Sequence, residues 1–176
     1  MNTVSHARPA FWRRLRRVRG CCHCLLLSLT LTLASLHASA SQTVDFALEG
    51  LDGKTYQLHA FRGKWVIVNF WATWCGTCIE EMDALQSFAD ANADAQVLAV
   101  NFEDIDVGVL AQFVADLNVR FPILLVGDKP LIPFEPLKGL PTTVIVNPAG
   151  EVVAHHTGAV TQVALETFIE SEKRAH

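Results

Sequence analysis

The sequence predicts an α/β domain whose central mixed β-sheet is flanked by helices. Three observations predict it. Two runs, WVIVNFW at 65–71 and QVLAVNF at 96–102, are nearly continuous in apolar, β-branched and aromatic residues, the pattern of strands buried on both faces. Between them, Cys78, Met82, Leu85 and Ala89 recur at intervals of four, three and four, which is one face of a helix. Further on, residues 142–147 and 151–155 flank Pro148-Ala149-Gly150, the pattern of an antiparallel hairpin.

The other elements follow in chain order. Residues 44–48 and 55–58 flank the turn residues Gly50-Leu51-Asp52-Gly53 and read as a leading hairpin. After the second buried strand, Leu110, Phe113, Val114 and Leu117 mark a second helix, and residues 123–126 a short strand. Leu165, Phe168 and Ile169 mark a C-terminal helix. Strands alternate with helices first and the hairpin comes last, so a mixed sheet with helices on both faces is expected. Residues 130–141, PLIPFEPLKGLP, hold four prolines in twelve residues, a density that excludes a regular helix.

The first forty residues differ in kind. Of the 176 residues, 1–40 hold six arginines and no acid, while 41–176 hold all eighteen acids and the other eight bases, giving formal charges of +6 and −10. The arginines are followed by the apolar run LLLSLTLTLASL at 25–36 and by Ala38-Ser39-Ala40. Basic region, short apolar region and small-x-small site are the parts of a secretory signal peptide, with cleavage expected after Ala40. Twelve helical residues reach roughly 18 Å, short of a hydrocarbon core of about 30 Å. An uncleaved N-terminal membrane anchor over residues 21–40 is the alternative. The domain is then 41–176, exported to the periplasm and touching the membrane only through that segment. Its acidic balance points away from nucleic acid.

Five cysteines are present, and Cys21, Cys22 and Cys24 lie in the segment expected to be removed. Cys75 and Cys78 remain, spaced C-x-x-C. A secreted domain with one close pair is not a disulfide scaffold, so the pair reads as chemistry. In FWATWCGTCIEEM, at 70–82, it joins the end of a buried strand to the start of a helix. Cys75 then stands at a helix N-terminus, where unpaired N–H groups and the macrodipole favour a thiolate. Cys78, three residues on, shares its helix face and sits deeper. Cys75 is thus the nucleophile that attacks a disulfide, and Cys78 the thiol that resolves the mixed disulfide.

VNFWATWCGTC, followed some sixty residues later by GLPTTVIVNPAGEVV, resembles the thioredoxin superfamily, and most closely its TlpA/ResA-like thiol–disulfide oxidoreductases. The resemblance covers nearly all of residues 44–174, including the leading hairpin and the inserted β-α. It implies a thioredoxin-like fold with Leu140-Pro141 as a cis-proline dipeptide facing the active site. It also implies reduction of disulfides on exported proteins, such as apocytochrome c or metalloprotein assembly targets. A cis-proline beside Cys75 would offer the backbone of Leu140 to an extended substrate, main chain to main chain. The electron source would be a membrane thiol-reducing donor. No cofactor is expected, and a monomer is.

Asn69 stands where ordinary thioredoxins carry a buried proton-accepting aspartate. The resemblance implies an acid on the loop after the next strand instead, so Glu103 and Asp104 are the candidates. Beside two thiols such a carboxyl would be raised in pKa and could pass protons; an ordinary solvated acidic loop is the alternative.

Two features depart from the family. Gly76-Thr77 fills the motif where relatives place a proline before the second Cys. The N–H or hydroxyl of Thr77 could donate to the Cys75 sulfur and tune the potential, while Glu80, Glu81 and Asp83 add repulsive charge nearby. The proline-rich segment 130–138 replaces a short helix and borders the substrate groove, where it either sets partner choice or is a rigid connector. Trp71 reads as core, and Trp74 as shielding the nucleophile or touching substrate. His155 and His156, adjacent on a strand, point to opposite faces and read as surface residues.

Two other chemistries compete. A thioredoxin-fold copper or zinc chaperone would bind metal through Cys75 and Cys78, but the spacing is short and a third ligand is not evident. Peroxide reduction wants Thr or Ser three residues before the nucleophile, where Ala72 stands.

Overall fold

The computed structural model describes residues 43–126, 134 and 137–175. The expected signal segment, and most of the proline-rich segment, lie outside the described residues. The strands are β1 Ala47–Gly50, β2 Thr55–Gln57, β3 Trp65–Trp71, β4 Ala95–Asn101, β5 Ile123–Leu125, β6 Thr142–Val146 and β7 Val152–Thr157. The α-helices among the described residues are α1 Gly76–Ala91, α2 Val107–Asp116 and α3 Gln162–Ala175, with a 3₁₀ turn at Leu58–Phe61.

The strands form one mixed sheet in the order β2-β1-β5-β4-β3-β6-β7. The fully buried β3 lies near its middle. It pairs parallel with β4, from Trp65↔Ala95 to Trp71↔Asn101, and antiparallel with β6, from Val66↔Val146 to Phe70↔Thr142. The C-terminal ends of β3 and β4 and the start of β6 therefore meet at one edge, and the C-x-x-C turn leaves from there. Gly150, at φ +83, makes the turn between β6 and β7 that a residue with a Cβ rarely adopts.

Side chains alternate along β3 into two cores. Trp65, Ile67 and Trp71 pack with Met82, Leu85 and Phe88 of α1, Leu110 of α2, and Leu165 and Ile169 of α3. Val66, Val68 and Phe70 pack on the other face with Val44, Leu48, Leu58 and Phe134. All three described helices thus cover one face, which corrects the expectation of helices on both. The reason is topological. β3, β4 and β5 advance in one direction across the sheet, and right-handed crossovers then place both connecting helices on the same side. The opposite face is covered, among the described residues, by the leading segment, the 3₁₀ turn and Phe134, whose ring meets Phe46 and Phe70 at centroid distances of 5.8 and 5.7 Å.

Candidate active site

β3 ends at Trp71, which is buried and stacks on Phe113 of α2 with centroids 6.3 Å apart. The Trp71 carbonyl accepts the Phe102 N–H at 2.9 Å, and the Ala72 carbonyl accepts the Cys75 N–H at 3.1 Å. The chain turns tightly between them, and Cys75 becomes the N-cap of α1 with an extended backbone (φ −91, ψ 95). Its Sγ accepts the Cys78 N–H at 3.3 Å. An N-cap side chain takes the N–H of the second or third helical residue, and that residue here is Cys78. The donor to the Cys75 sulfur is therefore Cys78 itself; Gly76 and Thr77 are exposed on the first turn.

Cys75 and Cys78 are joined in a disulfide with Cα atoms 5.2 Å apart. Cys75 retains 8% of its surface and Cys78 none, so an incoming thiol or disulfide meets Cys75. Trp74, one residue earlier, is 71% exposed beside it. The Leu140–Pro141 peptide bond is cis. Pro141 precedes Thr142, the partner of Phe70, and so stands at the sheet edge from which the Cys75 turn leaves.

Glu103 reaches this turn. One carboxylate oxygen accepts the Thr73 N–H at 2.6 Å and the Asn101 amide at 3.0 Å, and the other accepts the Thr73 hydroxyl at 2.9 Å. Burial by itself would raise its pKa, but the Thr73 N–H, the Asn101 amide and the Thr73 hydroxyl outweigh it and hold the carboxyl below the ordinary range. The raised carboxyl expected of Glu103 is thus corrected: it is a charged brace that ties the Cys75 turn to the end of β4. Asp104 is exposed, and Asp106 caps α2 by accepting the Val109 N–H at 3.1 Å.

The raised carboxyl is Glu81. It lies one turn beyond Cys78 on the buried face of α1 and is 2% exposed. It accepts the Asn69 amide at 2.8 Å and the Val160 N–H at 2.7 Å. Burial pushes its pKa up; the Val160 N–H, the Asn69 amide and the charge of His156 oppose this without cancelling it. Asn69 also donates to Thr143 Oγ1 at 3.0 Å, and its own Oδ1 has no partner among the described residues. Asn69 thus supports the buried acid instead of being it. The sequence carried a signal for Glu81: positions 78, 81, 82 and 85 form one helical stripe, and a charged residue stands in its apolar run.

The remaining titratable groups lie apart. His59 pairs with Asp45 at 2.8 Å on the surface, and His155 and His156 are exposed on β7. Among the described residues, no group of three or more His, Cys, Asp or Glu is placed to hold a metal ion, and no helix is long and apolar enough to cross a membrane.

An accessible sulfur capping a helix, a buried partner sulfur and a sheet edge shared with Leu140-Pro141 define a thioredoxin-like thiol–disulfide oxidoreductase. The chain belongs to the AhpC/TSA family, whose model matches residues 40–155. It is 33% identical over 138 residues to the thiol-disulfide oxidoreductase ResA of Halalkalibacterium halodurans, across 77% of this chain and 78% of that one. To ResA of Bacillus subtilis it is 31% identical, across 75% and 74%. Among solved structures, StoA from Bacillus subtilis superposes with a TM-score of 0.63 at 25% identity, across 73% of this chain and 98% of that one. A DsbF homologue from Corynebacterium diphtheriae does so with a TM-score of 0.64 at 25% identity, across 73% and 85%.

Proposed function

We propose that this oxidoreductase works as a reductant in the periplasm, delivering electrons to disulfides of exported proteins such as apocytochrome c or metalloprotein assembly targets. The observation that carries the reading is the Cys75–Cys78 disulfide at the start of α1, in which Cys75 keeps 8% of its surface and Cys78 none. The helix N-terminus favours the Cys75 thiolate. That thiolate attacks one sulfur of the substrate disulfide; a mixed disulfide forms and one substrate thiolate leaves. Cys78 gives its proton to the Glu81 carboxylate, then attacks Cys75 and releases the second substrate thiolate. The substrate gains two electrons, and the protein is left as the disulfide. A membrane thiol-reducing donor restores the dithiol.

Trp74 and the Leu140-Pro141 edge receive an extended substrate segment on either side of the nucleophile, and Gly76-Thr77 shapes the potential. The arginine-rich start and the apolar run at 25–36 support export, either with cleavage after Ala40 or with residues 21–40 kept as an anchor.

The test is a redox titration of the purified protein in thiol–disulfide buffers, with the cysteine state read by alkylation. A potential below about −230 mV is expected of a reductant. A value near about −120 mV would make the protein an oxidant and overturn the direction proposed. If the pair forms no disulfide at any poise, the two-cysteine mechanism fails.

A further inference from the structure

A polar row crosses three strands from the buried Glu81 site to the outer strand β7. Asn69, Thr143 and His156 stand directly opposite one another on β3, β6 and β7. Residues so paired project from the same face of a sheet. For Asn69 and Thr143 that face is the one under α1, because Asn69 donates to both Glu81 and Thr143. β7 is an outer strand, and His156 is exposed there.

A second approach meets the same place. Beyond His156 the chain turns at Gly158 (φ +109) and reaches Val160, whose N–H holds the other Glu81 oxygen. An ideal Cβ built on Gly158 would stand 3.8 Å from His156 Nε2, so the imidazole lies over this turn. His155 leaves the opposite face of β7, across from Val144.

We propose that His156 is a positioning residue for the redox chemistry: at the outer end of the Asn69–Thr143 row, its ring favours the charged carboxylate of Glu81 and so assists resolution by Cys78. The inference rests on the reading of Glu81 as proton acceptor for Cys78. The groups facing Glu81 are few. Its own helix brings the Cys75–Cys78 pair one turn away, while Glu80 and Asp83 are exposed on the outer side of α1. β3 and β6 bring the neutral Asn69 and Thr143, and the turn before α3 brings the Val160 N–H. His156 is the cation of the set, and its charge acts against the burial of Glu81. Because its ring is exposed, the coupling weakens as salt rises.

The experiment compares the full-length protein with H156Q and with H156K, which keeps a positive charge at every working pH. In the oxidised state, the Glu81 carboxyl is followed by carbon NMR against pH, with E81Q as the assignment control. The Glu81 midpoint is expected to move up in H156Q and back down in H156K, and the difference to shrink in high salt. In single turnovers at low salt near pH 6, release of the second substrate thiol is expected to slow about two- to fivefold in H156Q, the range set by a weak exposed charge pair. H156K should restore it, and the first attack by Cys75 should be unchanged. A Glu81 midpoint that is the same in wild type and H156Q overturns the proposal. A midpoint that moves while resolution stays constant overturns the link to catalysis. E81Q then locates the fault: if it also resolves at the wild-type rate, the proton-acceptor reading has failed, and if it is slow, only the role of His156 has.

Discussion

Replacing Glu103 distinguishes a brace from a proton carrier. In Glu103→Ala, the Asn101 amide and the Thr73 N–H lose their shared acceptor. Asn101 is fully buried, and stranding its amide costs about 1–3 kcal/mol. Thr73 is only half-buried, so water replaces part of what it loses, at about 0.5–1.5 kcal/mol. The sum is a destabilisation of about 1.5–4.5 kcal/mol. Glu103→Gln is different. A glutamine oxygen at the same place accepts both N–H groups, and its amide donates to a Thr73 hydroxyl turned to accept. Only the charge assistance is lost, about 1 kcal/mol. Urea unfolding of the oxidised proteins should give these values at pH 7. The sign with pH follows from the depressed carboxyl. Its contribution is present above the ordinary glutamate range and is lost as the pH falls through its lower folded value, so wild type and Glu103→Ala should converge in acid. Disulfide reduction by Glu103→Gln should stay within about tenfold of wild type, well inside the 10²–10⁴ expected for loss of a general acid or base. A hundredfold loss in Glu103→Gln with its stability intact would refute the brace.

Three other perturbations follow from the same geometry. Glu81→Gln should slow release of the second substrate thiol about 10²-fold or more and leave the first attack intact, read by stopped-flow thiol detection. Its stability should also respond to pH. Glu81 is raised in the fold, so its contribution is present below the ordinary glutamate range and is lost as pH rises through the folded value; the variant should gain on wild type from acid to alkali in denaturant titrations. Cys78→Ser should accumulate a mixed disulfide between Cys75 and substrate on non-reducing gels, whereas Cys75→Ser should accumulate none. Trp74→Ala should change stability by no more than about 0.5 kcal/mol, because the side chain is 71% exposed, yet raise KM for a protein disulfide while leaving a small disulfide unaffected.

The strands were legible because apolar runs such as WVIVNFW have few other homes than the middle of a sheet, and β3 occupies the same residues that the run does. The redox pair was legible because its chemistry requires a strand-to-helix turn. What was not legible depends on handedness and on side-chain reach. Two right-handed crossovers put α1 and α2 on one face, and no local pattern in either helix says so. Glu103, Asp104 and Asp106 are a run of acids in the sequence, but the fold gives each a different surrounding: a set of donors, solvent, and a helix end. Glu80, Glu81 and Asp83 read together as repulsive charge near Cys75, yet the 100° step of the helix points only Glu81 inward, to where Asn69 waits on β3.

The two carboxyls near the disulfide turn have proton affinities shifted in opposite directions, and the difference lies in what surrounds them. Glu103 has three donors and partial access to water, so its charge is stabilised and constant; a group that never changes protonation near neutrality can hold a turn but cannot carry a proton. Glu81 has two donors in the buried interior, so burial outweighs them and its proton affinity is raised. Moving an acid from the strand position of Asn69 to the helix also changes what it follows. An acid on β3 would be fixed to the sheet, whereas Glu81 rides on the same helix as Cys78, one turn away. Any shift of α1 as the disulfide opens therefore carries thiol and carboxyl together, and their separation is kept while the contacts to Asn69 and Val160 change. The proton affinity of Glu81 is therefore expected to differ between the oxidised and the reduced protein, and titrating it in both states tests this directly: equal midpoints would refute the expectation.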